Sequence, residues 1–547
     1  MIVVGGGPAG IVTALELARA GIDVVLLESG HQKFDLDAQQ LSDAADWNHR
    51  RHAEMSMAVR RQVGGTSVIW GGRCVPYDPI DFERRDAVPD ASWPIAYDEL
   101  VPYFQRSCDW LLCGRSVWDV AGLPHLPQSI VPGLPNSEVR SSTFERWSLP
   151  TNFGREYRRA LEATPGLRLV TGLTCTQVVI ASVDRRVDHL ATRGLDGREV
   201  AVRGRRYVLA AGGLESTRLL LASADADGVP IGNHSDHLGR WYMGHAEGVV
   251  ANVRFNTPPE QTIFDYERDI DGIYVRRRFS FSEEAQRRLG LPNIVAWLAN
   301  PSLSNPAHSS GALSFAYLAL ASPLGPLFAP EAQRKSLTGG SVPGSPYGPS
   351  KPGPVRAHAR NLMHDSRATA RFIAEFGTGR FIARRRVPGF FLYSPTNTYP
   401  LQYHGEHRPS WHSRVTLARN RDALGVPRLR IDIRFGAADI DGVVRAHRHV
   451  DEYLRLHGRG ALEYFSPDVA DAVETHIGGG FHQIGTTRIS RRPEDGVLDP
   501  DLAVHTFDDL FVVSSSAFPS SGQANSTFMV VVFALRLADR LRRELAR

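Results

Sequence analysis

The chain has 547 residues, 42% of them hydrophobic and 22% charged, with a net charge of +4. This is enough length for two or three domains' worth of core, with the balance of an ordinary globular protein rather than a disordered one. So small a charge, with no basic run interleaved with aromatics, argues against a nucleic-acid partner. Lysine occurs only as Lys33, Lys335 and Lys351, all other basic residues being arginine, as in a GC-rich bacterial coding sequence. The four cysteines, Cys74, Cys108, Cys113 and Cys175, include no C-x-x-C pair and read as thiols in a reducing compartment. No metal site is expected.

Residues 1–30, MIVVGGGPAGIVTALELARAGIDVVLLESG, read as strand, tight glycine turn, helix and strand. Gly5, Gly7 and Gly10 stand in the G-x-G-x-x-G spacing. The first glycine permits the turn, the second lets backbone approach a pyrophosphate, and the third lets the helix pack on the strand. The helix aims its free N–H groups at the phosphates. Glu28 closes the second strand, where an acid holds a ribose hydroxyl pair and repels a 2′-phosphate. The spacing and its flanks predict dinucleotide binding. The chain opens on this strand with no signal peptide before it, so a cytoplasmic location is expected.

QVGGTSVIWGGRCVPYDPIDFE (62–83) is too glycine-rich for a helix and suits a backbone lying flat on a planar ligand. With the opening motif, VGGTSVIWGG and WPIAYDELVPYF (93–104) resemble the glucose–methanol–choline (GMC) flavoprotein oxidoreductases, most closely the branch of pyranose oxidase and the sugar and gluconate dehydrogenases. The resemblance implies FAD, with Gly64, Gly65, Thr66 and Ser67 facing it and Gly71 near flavin N5. Some members attach the flavin through a histidine in this loop; the matching position is Ile69, so non-covalent FAD is predicted. VRGRRYVLAAGGLESTRLLLAS (202–223) resembles the family's second FAD fingerprint, with Ala211 and Gly212 carrying backbone contacts, and Val179 stands where relatives cover the adenine. HLGRWYMGHAEG (237–248) resembles the stretch where the chain leaves for its other domain.

From 249 to 470, GVVANVRF, GIYVRRRFSF, PNIVAWLA and PRLRIDIRF alternate like antiparallel strands, with helices over 357–376 and 437–457. The apolar run 311–330 approaches membrane-spanning length, but Pro323, Pro326 and Pro330 break it, favouring a buried or surface-lying helix over integral insertion. Residues 338–355 are rich in Gly, Pro and Ser and read as a solvated loop or a lid. The expected architecture is α/β: a Rossmann-like FAD-binding domain (the GMC fold) from 1–248 and 471–547, with a flavin-covering region at 60–105. A discontinuous α+β substrate domain (249–470) stands on a mostly antiparallel sheet.

GGGFHQIGTTRIS (478–490) and DLFVVSSSAFPSSGQANSTFMVVVFALRLADRL (509–541) resemble the family's carboxyl-terminal motifs and put His482 and Asn525 on the paired active-site positions. Oxidising an alcohol needs a base for the hydroxyl proton and an acceptor for the hydride. His482 suits the first role, with Asn525 orienting the hydroxyl over N5. Backbone contacts at Ser515 and Thr527 complete the expected FAD set, the helix after Asn525 stabilising the reduced flavin's charge. Departures from the family pattern are Ser526 for proline, Ile489 for methionine and Ser514 for aspartate. His404 and Glu406 in QYHGEH suit hydroxyl recognition, or equally a hydrogen bond within the sheet.

The implied reaction is FAD-dependent oxidation of a secondary hydroxyl on a sugar, glycoside or polyol. The alternatives are a primary alcohol of an aminosugar or natural product, an NAD(P)H-dependent flavin monooxygenase, and an FAD-stabilised binding protein. The sequence leaves the electron acceptor open between oxygen, a quinone and a separate carrier protein.

Overall fold

Ile2–Val4 forms a buried strand, Pro8–Arg19 a helix and Val24–Glu28 a second strand. The structure, a computed structural model, describes residues 1–127, 129–148, 151–181, 185–225, 227–339 and 352–545. The two strands run parallel, with Ile2 opposite Val25 and Val4 opposite Leu27. Between strand and helix, Gly5 has φ +106°, and a Cβ on Gly10 would lie 1.9 Å from the Gly5 carbonyl oxygen. Neither position tolerates a side chain. Pro8 takes the first helical position, where its missing N–H is no loss.

Three distant segments complete a five-stranded parallel sheet in the order Leu510–Val512, Tyr207–Leu209, Ile2–Val4, Val24–Glu28, Leu167–Thr171. Its central strands are continuous apolar runs because both faces are covered. The helix Thr527–Leu545 packs along Pro8–Arg19 and buries Phe528, Val531, Val532 and Leu535 at helical spacing.

A second, antiparallel sheet has the order Ile294–Leu298, Thr398–Glu406, His245–Phe255, Gly460–Tyr464. The long helix Ala437–Leu456 packs against it through Val443, Val450 and Tyr453. The register sets Glu247 opposite His404 and Trp297 opposite Gln402. Side chains alternate across a strand, so these four residues share one face. This face supplies the site.

One expectation needs adjusting. Pro427–Asp432, from PRLRIDIRF, is a strand but belongs to a separate three-stranded sheet with Arg414–Arg421 and Asp46–Trp47. Its Leu429 and Ile431 pack with Leu214 and Tyr242, so it braces the second nucleotide-side helix rather than flooring a cavity. Alternation specifies a two-faced strand without naming its partner. The apolar run at 311–330 folds as the helix Gly311–Ala321 and stops before Pro323. No helix among the described residues is long and apolar enough to cross a membrane. Of the Gly/Pro/Ser stretch, residues 340–351 lie outside the described residues.

Several histidines are sealed away from water. Burial pushes His52 and His447 from 6.5 down to about 4. Between those values the unfolded chain holds more protons on these groups than the folded one, so each contributes stability that is lost as pH falls from about 6.5 toward 4. The slope is on the order of 1.4 kcal/mol per histidine per pH unit. Raised carboxyls such as Asp265 and Asp499 act in the opposite sense, so the comparison must be differential. In calorimetry at stepped pH, the thermal midpoint of His447→Gln is expected to fall less steeply than that of the unmodified protein across this window. Parallel curves would contradict a neutral, buried His447.

Candidate active site

A long cleft opens over the carboxyl ends of the parallel strands, the usual position for a ligand on such a sheet. Its walls include Gly5, Gly7 and Ala9 from the turn, Glu28, then Gly65, Thr66 and Ser67 from the glycine loop. Ala211, Gly212, Ser515 and Thr527 line the remainder. The helices Pro8–Arg19 and Gly213–Leu221 both start from glycine caps with no side-chain cap, leaving their first N–H groups to a ligand. A Cβ on Gly7 would meet nothing closer than 3.9 Å, so the space beside those N–H groups is open for phosphate. Glu28 accepts hydrogen bonds from the N–H groups of Gly6 and Gly30, both at 2.7 Å. The carboxylate is thereby fixed, and each oxygen keeps a lone pair for a ribose hydroxyl. These residues fit a flavin dinucleotide.

Other expected contacts shift. Gly64 is turned away from the cleft, against Asn152 and Gly154. The Ser67 hydroxyl donates to the Gly64 carbonyl (2.5 Å) and accepts from the Phe153 N–H (3.0 Å), so it shapes the loop. Val179 lies outside the cleft; Leu173, Thr174 and Cys175, at the near end of the same strand, line it instead. An apolar strand pattern gives no indication of which end meets a ligand.

A second cavity of about 540 Å³ meets this cleft at Thr66, Trp70, His482 and Thr527, which line both. Gly71, His404, Asn525, Arg73, Glu247 and Trp297 line the second cavity. The Asn525 Oδ1 is buried and has no protein partner among the described residues, the mark of an atom waiting for a ligand.

At the junction His482 Nδ1 lies 2.9 Å from His245 Nδ1. His245 Nε2 lies 3.2 Å from the Ser521 carbonyl oxygen, which can only accept, so Nε2 carries the proton. Burial, with His404, His482 and Arg73 nearby, holds His245 well below the ordinary histidine range, hence neutral. Its Nδ1 is therefore a lone pair accepting from His482 Nδ1–H. This leaves His482 Nε2 unprotonated at the junction. Burial also lowers His482, to about 3, with Glu247 opposing and His404 and Arg73 assisting.

His404 donates from Nδ1 to the Gln523 carbonyl (2.8 Å), and its Nε2 lies 3.1 Å from Glu247 Oε1, off the line of an ideal hydrogen bond. Burial works to raise Glu247, but His404 overrides it and keeps the carboxyl below its ordinary range. Both nitrogens of His404 thus face acceptors, the Gln523 carbonyl and the Glu247 carboxylate, on the cavity wall. Beside it Glu145, fully buried, holds Arg73 at 2.6 Å and Arg276 at 2.5 Å, and both guanidinium groups lie over the Trp297 ring at 4.7 and 4.9 Å. Arg73 is thereby a fixed cation facing the cavity.

Glu406, at the end of the His404 strand, lines neither cavity. Its oxygens accept from Arg85 at 2.8 and 2.9 Å and from the Asn293 N–H at 3.1 Å. That is structural service, against the expectation that it recognises substrate hydroxyls.

The sequence reading passed over His245, Glu247, Arg73 and Trp297. The His-x-Glu alternation in MGHAEG was the available signal, since residues two apart on a strand share a face. Ligand atoms of His245, Glu247, His404 and His482 lie within 4.8 Å of one another, close enough for an ion. However, the His245 and His404 rings stack at 4.2 Å and 27°, which confines their lone pairs to nearly parallel planes a ring's thickness apart, and His245 Nε2, His245 Nδ1 and His404 Nδ1 already have hydrogen-bond partners. Hydrogen bonding accounts for the cluster.

Comparison with known proteins points one way. Residues 409–534 match a family model described as GMC oxidoreductase, and residues 1–39 one described as FAD binding domain. The 6'''-hydroxyparomomycin C oxidase of Streptomyces lividus is 24% identical over 100% of this chain and 91% of its own length. The fructose dehydrogenase large subunit of Gluconobacter japonicus is 21% identical over 100% and 98%. The crystal structure of pyridoxine 4-oxidase from Mesorbium loti superposes with TM-score 0.58 at 19% identity, covering 99% of each chain. The cofactor is FAD.

Replacing Gly10 by Ala drives a Cβ into the Gly5 carbonyl oxygen. We expect Gly10→Ala to purify with less than about a tenth of the flavin of the unmodified protein, measured by visible absorbance, as a contact worth over 1.4 kcal/mol requires. Full flavin content would show that the turn relaxes.

Proposed function

The chain belongs to the glucose–methanol–choline (GMC) family of FAD-dependent oxidoreductases acting on CH–OH groups, and from that premise we propose that it oxidises a secondary hydroxyl of a sugar, glycoside or polyol to a ketone, with His482 as base. Bound FAD supplies the two-electron acceptor for the hydrogen leaving carbon. The observation that carries the reading is the 2.9 Å contact between His482 and His245. It fixes the tautomer of His482 and reserves Nε2 for the substrate hydroxyl. His245 is a positioning residue in this scheme, and the Ser521 carbonyl sets its orientation.

Asn525 supplies the second contact to the same hydroxyl by donating a side-chain N–H to its oxygen, because the hydroxyl's one proton goes to His482 Nε2, and the buried Oδ1 is left to accept from another group of the ligand. Glu247 stabilises the His482 imidazolium that forms when the proton arrives. Trp297 offers an apolar ring to the C–H face of a sugar, while Gln402, Glu247 and Arg73 offer acceptors and a donor to its hydroxyls. Relatives named for hydroxyparomomycin C and fructose support a carbohydrate-like substrate. In this reading residues 1–248 and 471–547 hold FAD and 249–470 hold substrate, so His245 and Glu247 stand at the boundary.

A second reading, a primary hydroxyl on an aminosugar, is favoured by the Glu247 carboxylate on the cavity wall, which suits an ammonium group. Identification of the product, ketone or aldehyde, separates the two.

Anaerobic bleaching of the bound flavin by a panel of sugars, glycosides and polyols tests the proposal, and readmitting air shows whether oxygen is the acceptor. His482→Ala is expected to retain FAD while losing on the order of 10³ in kcat/KM. If only NADPH bleaches the flavin, the reading fails. The pH profile is a separate check. A base with its pKa lowered to about 3 stays unprotonated well below neutrality, so kcat/KM is expected to stay level from about pH 8 to about pH 5, where an ordinary histidine would be lost near 6.5. An acid limb centred near pH 6.5 would contradict the buried, neutral base.

A further inference from the structure

The charge of the chain is unevenly placed. In the described residues between 324 and 388 there are ten Lys and Arg against three Asp and Glu, a net +7, while the whole chain carries only +4, so the rest of the molecule is net negative. This segment forms the helices Glu331–Leu337, Val355–His364 and Ser366–Gly377, with turns at Gly325–Leu327 and Thr378–Ile382. It lies beside the second cavity, which Gln333, Ser336 and Leu337 help to line.

The outer side of the two turns is apolar. Leu324 is 60% exposed, Leu327 74% and Ile382 79%. The Phe328 and Phe381 rings meet edge to face at 5.9 Å and join the turns into one patch. Arg384 and Arg386 follow Ile382 directly, are exposed, and have no carboxylate partner among the described residues. Protruding apolar tips with exposed guanidinium groups beside Ile382 in the chain are what a protein needs to lie on an anionic lipid surface. The apolar side chains enter the headgroup region and the cations meet lipid phosphates. A second copy of the chain is a poor occupant, because a symmetric contact would set +7 against +7. An acidic protein would answer the charge but would need pockets shaped for the tips, whereas lipid needs no such shape.

We propose that the face formed by residues 324–328 and 380–386 docks the protein on anionic membrane surfaces, with Leu327 and Ile382 as the inserted side chains. Docking brings the mouth of the substrate cavity to the lipid–water interface, where amphiphilic reactants concentrate. The proposal is independent of the substrate assignment, since membrane binding is read without turnover.

The test is flotation of the FAD-loaded protein with phosphatidylcholine vesicles, with and without phosphatidylglycerol, at low and high salt. Binding is expected only with phosphatidylglycerol and is expected to weaken at high salt. Arg384→Ala and Arg386→Ala should each reduce partitioning about fivefold. Leu327→Asp with Ile382→Asp should abolish it while leaving flavin content, melting temperature and turnover of a soluble substrate unchanged. No binding at low salt, equal binding to neutral vesicles, or undiminished binding of the Asp variant would overturn the proposal. So would concentration-dependent self-association that the Asp variant removes, since the patch would then be an interface between copies.

Discussion

In the proposed reading His482 is a base inside protein, which must be kept unprotonated and aimed, and one nitrogen-to-nitrogen contact does both. His482 cannot rotate its free nitrogen away from the cavity without giving up the bond to His245. His245 cannot reverse its tautomer without setting two acceptors face to face at Ser521. The direction of the chain is thus fixed by a main-chain carbonyl, which has no protonation state to change. The three groups come from different parts of the fold: Ser521 from the loop before Thr527–Leu545, His245 from the start of the inner strand His245–Phe255, and His482 from the segment between Val469–His476 and Leu510–Val512. The site exists only while the two sheets keep their mutual position.

What holds that position is polar and buried, which is an unusual use of binding energy. Arg85 is clamped between Glu406 and Asp81, beneath the loop that carries Ser521 and Asn525. Gln523 in that loop accepts from Arg278 at 2.7 Å and donates to Asp78 at 3.0 Å, and its own carbonyl anchors His404. Buried ion pairs seldom add net stability over apolar residues of the same shape. Their merit is directional. An apolar contact would let the loop slide by a fraction of an ångström, and a misplacement of that order at the reacting atoms is costly in rate. Glu406 and His404 therefore divide one strand between architecture and chemistry, though both looked alike in QYHGEH.

That division marks how far the sequence could be read. The nucleotide turn was legible because steric exclusion at Gly5 and Gly10 writes itself into three fixed positions within a few residues. The motifs around His482 and Asn525 marked two residues that do line one cavity. His245 and Glu247 were visible only as an alternation, since their role depends on Glu247 falling opposite His404, a register between strands some 150 residues apart. Val179 failed for the same reason in reverse: its strand was read correctly, but the end that reaches the cleft was not encoded in the apolar pattern. Arg73 and Trp297 were unreadable because their meaning comes from Glu145, a buried acid contributed by a third strand. Local steric rules survive in a sequence, whereas cross-strand pairing leaves almost no trace in it.

One energetic question follows from the lowered proton affinity of His482. A base near 3 is well protected from stray protons but is a weak acceptor for an alcohol proton. The resolution lies in what accompanies the transfer. When the hydroxyl proton moves to Nε2, an imidazolium and a developing alkoxide appear together in a cavity from which the substrate has displaced water. Two unit charges about 4 Å apart at an effective dielectric near 20 attract by roughly 4 kcal/mol, or about three pKa units. That raises the effective proton affinity of His482 from about 3 to roughly 6, the range of an unperturbed histidine, and does so only while substrate is present. Glu247 on the imidazolium side and Arg73 on the cavity wall are fixed charges, so they add to or subtract from this balance without reorganising. Under the proposed mechanism the low resting value is then a form of selectivity: the site is basic toward a bound alcohol and inert toward the solvent.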